Sequence, residues 1–230
     1  MTLSHILSSR DQLGETFRFT QGMLEASAAV MFWIHPDRTL EHAYQTGLSD
    51  ALFNEYFKGF DTFDPLSVDR LIERQDRVAF FQRERLKHSD SEMIVYEDFL
   101  SRHGVEDEVD FVFWQDGCPI AVIGVMKGQF DPPFQPDHFQ WETMRRHLEA
   151  ILQQHPHVRQ ARKEMVLTQK FNLTGRELQV VELLQIGASN AKIAQIMGIG
   201  VATVKTYIVN ILNKMGMDSR FSVVAYTSSI

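Results

Sequence analysis

The final sixty residues alternate helix-forming stretches with capping residues and glycine stops, and this pattern restricts their fold more than any other feature of the chain. Thr174 and Glu177 form a T-x-x-E capping box, in which each side chain satisfies a backbone N–H at the start of a helix. An apolar stripe at helical spacing follows as far as Gly187. Ser189 is placed to cap a second helix that stops at Gly198. The segment is therefore predicted to be all-α.

A tight turn and a longer third helix complete this pattern. The turn is Gly198-Ile199-Gly200, and the helix is predicted from about Val201 to Met215, where Gly216 ends it. A fourth helix is predicted to begin near Ser219. Two short helices, a glycine-bearing turn and a longer third helix are typical of a DNA-binding helix-turn-helix, in which that third helix lies in the major groove.

The same segment resembles the DNA-binding domain of LuxR-type bacterial transcription factors. The matching residues, in the family's order and without a gap, are Leu173-Thr174, Arg176-Glu177, Gly187, Ser189-Asn190, Ile193-Ala194, Ile199, Thr203-Val204-Lys205, Asn210-Ile211, Lys214, Gly216 and Arg220. The resemblance covers roughly the last quarter of the chain. It implies a four-helix domain at residues 171–230 that binds a double-stranded DNA operator as a homodimer, with the fourth helix pairing across the two-fold axis. The DNA contacts predicted on this basis are Lys192, Thr203, Lys205, Thr206, Tyr207, Asn210 and Lys214.

Three positions depart from the family pattern. Tyr207 stands where the family commonly has His, Val209 where a basic residue often faces the DNA backbone, and Gly200 where Ser usually caps the recognition helix. Glycine is a weaker but tolerated cap. Because phosphate neutralisation dominates affinity, these changes predict weaker DNA binding or a greater reliance on dimerisation.

The net charge of −7 is divided unevenly along the chain. Residues 171–230 carry five basic and three acidic side chains, a net of +2, so residues 1–170 carry a net of −9. The acidic part repels DNA, and one end of the molecule is therefore predicted to dock. Residues 156–170 are interpreted as a linker after a first domain at residues 1–155. Their basic side chains could instead reinforce the basic end.

The cysteine count and the hydropathy indicate a compartment. Cys118 is the only cysteine in the sequence, so no internal disulfide can form, and a reducing environment fits. No run approaches eighteen apolar residues, and the N-terminus lacks the basic start and long apolar core of a signal peptide. A cytoplasmic protein without membrane contact is therefore predicted.

The first 155 residues are predicted to form an α+β domain. Helices are predicted at residues 8–30, 48–58 with Ser49 as its cap, 90–102, and 136–154 with Phe139 among its apolar positions. Two strands flank a turn at residues 35–38, and the clearest hairpin runs over residues 109–128 around Asp116-Gly117. The segment up to about residue 87 carries no clear pattern. This order predicts one antiparallel sheet with helices on its faces.

Such a layout is similar to PAS, GAF and acyl-homoserine-lactone-binding sensor domains, which hold a small molecule between sheet and helices. Tyr56 and Asp64-Pro65 resemble the tyrosine-then-Asp-Pro pattern of the quorum-sensing lactone receptors, in which the aspartate accepts from the ligand amide. Leu52 and Phe53 stand where that family has a tryptophan, so the donor to the lactone carbonyl is missing. Lactone sensing is therefore disfavoured.

The aromatic residues of the first domain have two interpretations that the sequence leaves open. They line a small-molecule pocket, or they fill a tight core. The predicted ligand-binding residues are Tyr56, Phe57, Asp64, Phe81 and Trp114. For Asp64 the alternative is an Asp-Pro turn whose side chain bonds the local backbone.

Other classes of protein fit the sequence less well. An enzyme, a metal site and a bound cofactor are not predicted, because no nucleotide-binding loop or catalytic motif occurs in a supporting context and His155 and His157 lack a nearby acidic or cysteine partner. The alternating βα pattern of a phosphorylated receiver is missing. The prediction is a homodimeric DNA-binding transcription regulator whose first domain senses a small apolar or amphipathic molecule. The alternative is a ligand-independent regulator whose first domain only dimerises or binds a protein partner.

Overall fold

The computed structural model describes residues 3–35, 37–137 and 141–230, with side chains from Leu13 onward. The chain divides into two units, Met1–Leu152 and Gln153–Ile230. Residues 156–170, predicted as a linker, lie within a helix of the second unit, Pro156–Phe171. Pro36 of the predicted first turn and Phe139 of the predicted helix at 136–154 lie outside the described residues.

The first unit is built on a five-stranded antiparallel sheet, which confirms the predicted α+β class. The strands are β1 (Ala28–Ile34), β2 (Leu40–Thr46), β3 (Val78–Phe80), β4 (Asp107–Gln115) and β5 (Cys118–Lys127). Their order across the sheet is β2-β1-β5-β4-β3. β4 and β5 form the predicted hairpin, and Asp116 and Gly117 take φ of 50° and 81°, the left-handed pair that a two-residue type I′ turn requires.

Helices cover both faces of this sheet. They are α1 (Leu3–Leu24), α2 (Asp50–Tyr56), α3 (Val68–Arg74), α4 (Phe81–Glu84), α5 (Asp90–Arg102) and α6 (Trp141–Gln154). The predicted helix at residues 8–30 was wrong at its end, because the apolar run from Ala28 pairs with β5 and belongs to β1. Ser49 caps α2 as predicted, by accepting from the backbone N–H of Leu52.

Side chains of the central strands β1, β5 and β4 alternate between two buried layers. On one face Phe111 of β4 lies with its ring centroid 6.1 Å from that of Trp141 in α6, and Phe17 of α1 stacks on Tyr44 of β2 at 4.6 Å. On the other face Val112 of β4 packs in a cluster with residues of α3 and α5. The cavity described below lies in this second layer.

The second unit consists of helices around a small apolar core. They are α7 (Pro156–Phe171), α8 (Gly175–Gln185), α9 (Asn190–Met197), α10 (Val201–Met215) and α11 (Arg220–Ser228). Both halves of the Thr174–Glu177 capping box are present, and Ser189 caps α9 as predicted. α10 has the predicted limits, and Gly216 follows it with φ of 63°.

Within the described residues, no single helix has the length and hydropathy that crossing a bilayer requires. Only α9 and α10 taken together meet those criteria of length and composition, and the chain bends by 107° between them.

The fully buried Phe111 is expected to be a major contributor to the stability of the first unit. Replacing it by Ala removes its contacts with α6 and leaves a cavity, at a cost of about 3–5 kcal/mol in the free energy of unfolding. Phe130, whose side chain is 95% exposed, is the matched control, and its replacement by Ala should stay within about 0.5 kcal/mol of wild type. All three tryptophans of the chain, Trp33, Trp114 and Trp141, precede residue 153, so tryptophan fluorescence during urea unfolding reports on this unit alone. Equal effects of the two replacements would contradict the assignment.

Candidate functional site

The helices α8, α9 and α10 form the predicted helix-turn-helix. Gly198 follows α9 with φ of 65°, and the N–H of Ile199 bonds back to the carbonyl of Ala194 at 3.0 Å, which closes the turn. The bend of 107° between α9 and α10 lies in the range of this motif. Ile193 of α9 and Val204 of α10 are fully buried in the same apolar core. The two helices are therefore held at a fixed angle by apolar packing.

The predicted DNA contacts fall into two groups in the structure. Thr203, Lys205, Thr206 and Asn210 are exposed on α10, and Lys192 is exposed on α9. Tyr207 is half-buried and packs against the core of the unit. Gly200 caps α10 without a side-chain hydrogen bond, as its lack of a side chain requires. The four that belong to α10 lie on the open side of that helix, away from the buried Val204 and Ile211.

Lys214 has an intramolecular partner that the sequence did not reveal. Its Nζ lies 2.6 Å from Oε2 of Glu177 and donates to the carbonyl oxygen of Asn172 at 2.8 Å. Glu177 is buried and also accepts from the N–H and the hydroxyl of Thr174. Burial alone would raise the pKa of Glu177, but the Lys214 ammonium and the two Thr174 donors outweigh it and hold that pKa below its usual range. Lys214 therefore ties the end of α10 to the start of α8.

In the first unit a small cavity lies between the sheet and the helices α2, α3 and α5. Its aromatic lining residues are Phe32, Phe53, Tyr56, Tyr96 and Phe99, its aliphatic ones Val30, Leu40, Leu52, Leu66, Val68, Leu100, Val122 and Met126, and Gly124 completes the apolar surface. Three acidic side chains, Asp64, Glu108 and Asp110, also line it. About 60 Å³ is open to the centres of water-sized molecules. An apolar cavity with a few convergent polar groups has the character of a small-molecule site.

Tyr56 and Asp64 meet at this cavity. The Tyr56 hydroxyl donates to Oδ2 of Asp64 at 2.7 Å, and the N–H of Leu66 donates to Oδ1 at 2.7 Å. The second contact is the Asp-Pro turn that sequence reasoning offered as the alternative, so Asp64 serves the turn and faces the cavity at once. Burial raises the pKa of Asp64 to about 6, against the opposing effects of Tyr56, the Leu66 amide, Tyr96 and Arg70.

The other predicted ligand residues lie elsewhere. Phe57 is half-exposed and contacts Phe32 from outside the cavity, with ring centroids 5.8 Å apart. Phe81 is buried beside Tyr96, and Trp114 packs on the same core and donates from Nε1 to the carbonyl of Asp76 at 2.8 Å. None of these three lines the cavity.

Glu108 and Asp110 are the acidic residues of the cavity that the sequence analysis did not predict. They stand two positions apart in β4, on the same face as Val112 and the helices that cover it. A signal was present, because two acids at alternate positions of a strand point to the same face of the sheet. The more apolar residues Val109, Phe111 and Phe113 take the opposite face, which is also buried.

Replacing Lys214 by Ala should destabilise the second unit by about 1–3 kcal/mol near neutral pH, because the buried Glu177 carboxylate loses a charged donor. The pKa of Glu177 is lowered by folding, so its stabilising effect is full above the unfolded-state pKa of about 4.3 and is lost as pH falls through the folded-state pKa. The difference between variant and wild type should therefore shrink in acid. Lys205→Ala, at an exposed position of the same helix, is the control, expected within about 0.5 kcal/mol. Far-ultraviolet circular dichroism follows the helices of both units, and tryptophan fluorescence identifies the part of the transition that belongs to the first. Equal losses in both variants would count against the Glu177 contact.

Replacing Tyr56 by Phe should destabilise the first unit by about 1–3 kcal/mol at pH 8, where Asp64 is ionised and loses a buried donor. At pH 5, below the folded-state pKa of about 6, Asp64 is largely protonated and the loss should be smaller. Tyr44→Phe is the control, because its hydroxyl contacts no described carboxylate and its ring stays stacked on Phe17. Tryptophan fluorescence during urea unfolding measures both variants. A Tyr56→Phe effect that is independent of pH would contradict the Asp64 contact.

Comparison with known proteins assigns the second unit. Residues 171–227 match the luxR family of bacterial regulatory proteins. The monoamine regulon transcriptional regulator of Klebsiella aerogenes is 25% identical over 208 residues, which are 89% of this chain and 85% of that protein. The HTH-type transcriptional activator RamA of Corynebacterium glutamicum is 36% identical over 58 residues, 25% of this chain and 21% of that activator.

Among solved structures, Escherichia coli SdiA is similar with 18% identity and a TM-score of 0.47, over 94% of this chain and 89% of that one. The match at residues 171–227 coincides with α8 to α11, whose caps, turn and exposed face are those of a helix-turn-helix. Residues 171–227 therefore match a luxR-family helix-turn-helix domain, and the chain is similar to a transcriptional regulator over most of its length.

Proposed function

We propose that this chain acts as a homodimer on a pseudo-palindromic DNA operator and that a small molecule in the cavity of its first unit controls that binding. The exposed face of α10 reads the major groove, with Thr203, Lys205, Thr206 and Asn210 as the contacting residues and Lys192 on the preceding helix. Tyr207 and Lys214 flank this face. The half-sites of the operator lie about one helical turn apart, because the two recognition helices of a dimer are related by two-fold symmetry.

The observation that supports DNA binding most directly is the division of α10 into two faces. Val204 and Ile211 are buried in the core, while polar and basic side chains remain on the open side. Residues 171–230 carry a net charge of +2 against −9 in the rest of the chain, so the electrostatic field favours docking through this end. Phe221 of α11 is 77% exposed, which supports the proposal that α11 contributes to the dimer contact.

The observation that supports ligand control is the cavity itself. A plain core would be filled, whereas this layer keeps open space beside buried polar groups. The curated relative that aligns over 89% of the chain is a regulator named for a monoamine regulon, which fits a role in small-molecule metabolism. If the ligand binds only the DNA-competent arrangement, it shifts the population towards that arrangement by its differential affinity for the two.

Lys205→Ala should weaken operator binding and reduce the salt dependence of the binding constant by about one phosphate contact. Fluorescence anisotropy over a series of salt concentrations measures both quantities, on a duplex that the wild-type protein selects from a random-sequence pool. Lys58→Ala is the matched control, because it removes the same charge from an exposed position of the first unit. An unchanged affinity and slope for Lys205→Ala, or the same change for Lys58→Ala, would overturn the assignment of α10 as the DNA-contacting helix.

A further inference from the structure

The cavity of the first unit contains an acidic cluster, which consists of Asp64, Glu108 and Asp110. These side chains are 4%, 6% and 5% exposed, so all three are essentially removed from solvent. Glu108 and Asp110 come from β4, and Gly124 of β5 pairs directly with Asp110. A Cβ atom at Gly124 would lie 3.0 Å from Oδ1 of Asp110 and 3.1 Å from Oε1 of Glu108. The glycine therefore provides the space that the two carboxyl groups occupy.

No ion pair among the described residues neutralises this cluster. None of its three members forms an ion pair within 4.0 Å, and no Lys, Arg or His lines the cavity. The nearest guanidinium groups bond elsewhere. Arg70 donates to the backbone carbonyls of Thr62 and Asp64, and Arg74 pairs with Asp76 and Glu84.

Two atoms of the cluster have no hydrogen-bond partner in the described structure. They are Oε2 of Glu108 and Oδ1 of Asp110, and both are fully inaccessible to water. Asp64 differs, because Tyr56 and the Leu66 amide satisfy its two oxygens. Buried polar atoms are nearly always paired, and leaving a carboxylate unpaired in an apolar site is costly. The unpaired oxygens of Glu108 and Asp110 therefore indicate a missing cationic or donor partner within the cavity.

The surroundings favour an organic cation over a metal ion. The described residues contain no group of three or more His, Cys, Asp or Glu side chains placed to hold a metal. Aromatic rings from β1, α2 and α5 surround the acids instead, and such rings attract ammonium groups through their faces. The open volume of about 60 Å³ holds roughly four or five waters, so the occupant is compact.

We propose that the cavity binds a compact protonated organic amine, whose ammonium group donates to Glu108 and Asp110 while its apolar part lies against Phe32, Phe53 and Phe99. This inference rests on the proposed ligand control and names its chemical class. A charge-assisted hydrogen bond in a water-excluded site is stronger than a neutral one, so the amine is distinguished from a neutral molecule of the same shape.

Protons compete with the amine for the same oxygens. Burial raises the pKa of Glu108 and of Asp110 well above the usual range, and repulsion by neighbouring carboxyl groups raises both further. The hydrogen bond between the two carboxyl groups also raises the pKa of Glu108 and opposes the rise at Asp110. The other titratable or charged groups that face the cluster are Tyr56 from α2, Arg70 and Arg74 from α3, Tyr96 from α5 and Asp107 from β4. Without a cation the carboxyl groups retain protons, so binding an ammonium releases protons and strengthens as pH rises, until the amine loses its own proton.

A double variant can imitate the protonated form of Glu108 and Asp110 and keep the fold. Glu108→Gln together with Asp110→Asn imitates the protonated pair in shape and charge, and should therefore be at least as stable as wild type above neutral pH. Glu73→Gln together with Asp98→Asn is the matched control, because it removes two negative charges from exposed positions of the same unit.

The experiment is isothermal titration calorimetry of the full chain with benzylamine and 2-phenylethylamine, each against the alcohol of the same carbon skeleton. The amines should bind more tightly than the alcohols and release protons, measured by repeating the titration in two buffers of different ionisation enthalpy. E108Q/D110N should weaken amine binding by about 10- to 100-fold, and E73Q/D98N should leave it unchanged.

Three results would overturn the inference. If the alcohols bind as tightly as the amines, the cavity is a small-molecule site without selectivity for amines, and the proposed ligand control still stands. If the amines bind equally well to E108Q/D110N, they bind elsewhere. If neither amines nor alcohols bind, the amine assignment is wrong, whereas the DNA-binding proposal is decided separately by the salt dependence of Lys205→Ala.

Discussion

Side chains alternate between the two faces of a strand, and in β4 this alternation decides the character of the whole first unit. Val109, Phe111 and Phe113 face α6 and complete one apolar layer, so Glu108 and Asp110 are obliged to face the opposite layer. Pairing with β5 on one side and β3 on the other leaves the strand no freedom to rotate or slip. The acids are thus held inside by the backbone, and the helices α2, α3 and α5 build the cavity around them.

Two buried carboxyl sites in this chain differ in their hydrogen-bond donors and therefore in their pKa values. Glu177 is surrounded by donors: the ammonium of Lys214 and two groups of Thr174 satisfy it, and its pKa is held low. Glu108 and Asp110 have no cationic partner within 4.0 Å among the described residues, and burial raises the pKa values of both. The first arrangement is what a carboxylate needs in order to support a fold. In the second, the carboxyl groups must retain protons or gain a partner, because an unpaired carboxylate is costly in an apolar site.

The sequence predicted the second unit better than the first, because the signals that define its helices lie close together in the sequence. Capping boxes and glycine stops act within a few residues, so the limits of α10 and the caps of α8 and α9 could be read locally. β3 has only three residues and exists because β4 pairs with it, which no local pattern reveals. The helix predicted as far as residue 30 overlapped the strand predicted from Ala28, and pairing with β5 assigns the overlap to β1.

The candidate site follows the same division. Tyr56 and Asp64 were predicted from their resemblance to a lactone-receptor pattern, and the local turn at Asp64 was the alternative. The hydrogen bond between the two side chains was not predicted. Phe57, Phe81 and Trp114 lie outside the cavity, because aromatic composition alone does not say which rings surround open space. Lys214 was predicted as a DNA contact from the family resemblance. Its contact with Glu177, which lies 37 residues earlier, could not be predicted from a local pattern.

The buried acids restrict which residue can stand at position 124 of β5. A glycine inside a strand gives up packing and conformational restriction, so a side chain there would ordinarily strengthen the central strand. At Gly124, however, a side chain would collide with the carboxyl groups of Glu108 and Asp110. A stronger sheet and the room that the two buried carboxyl groups need therefore make opposite demands on this single position.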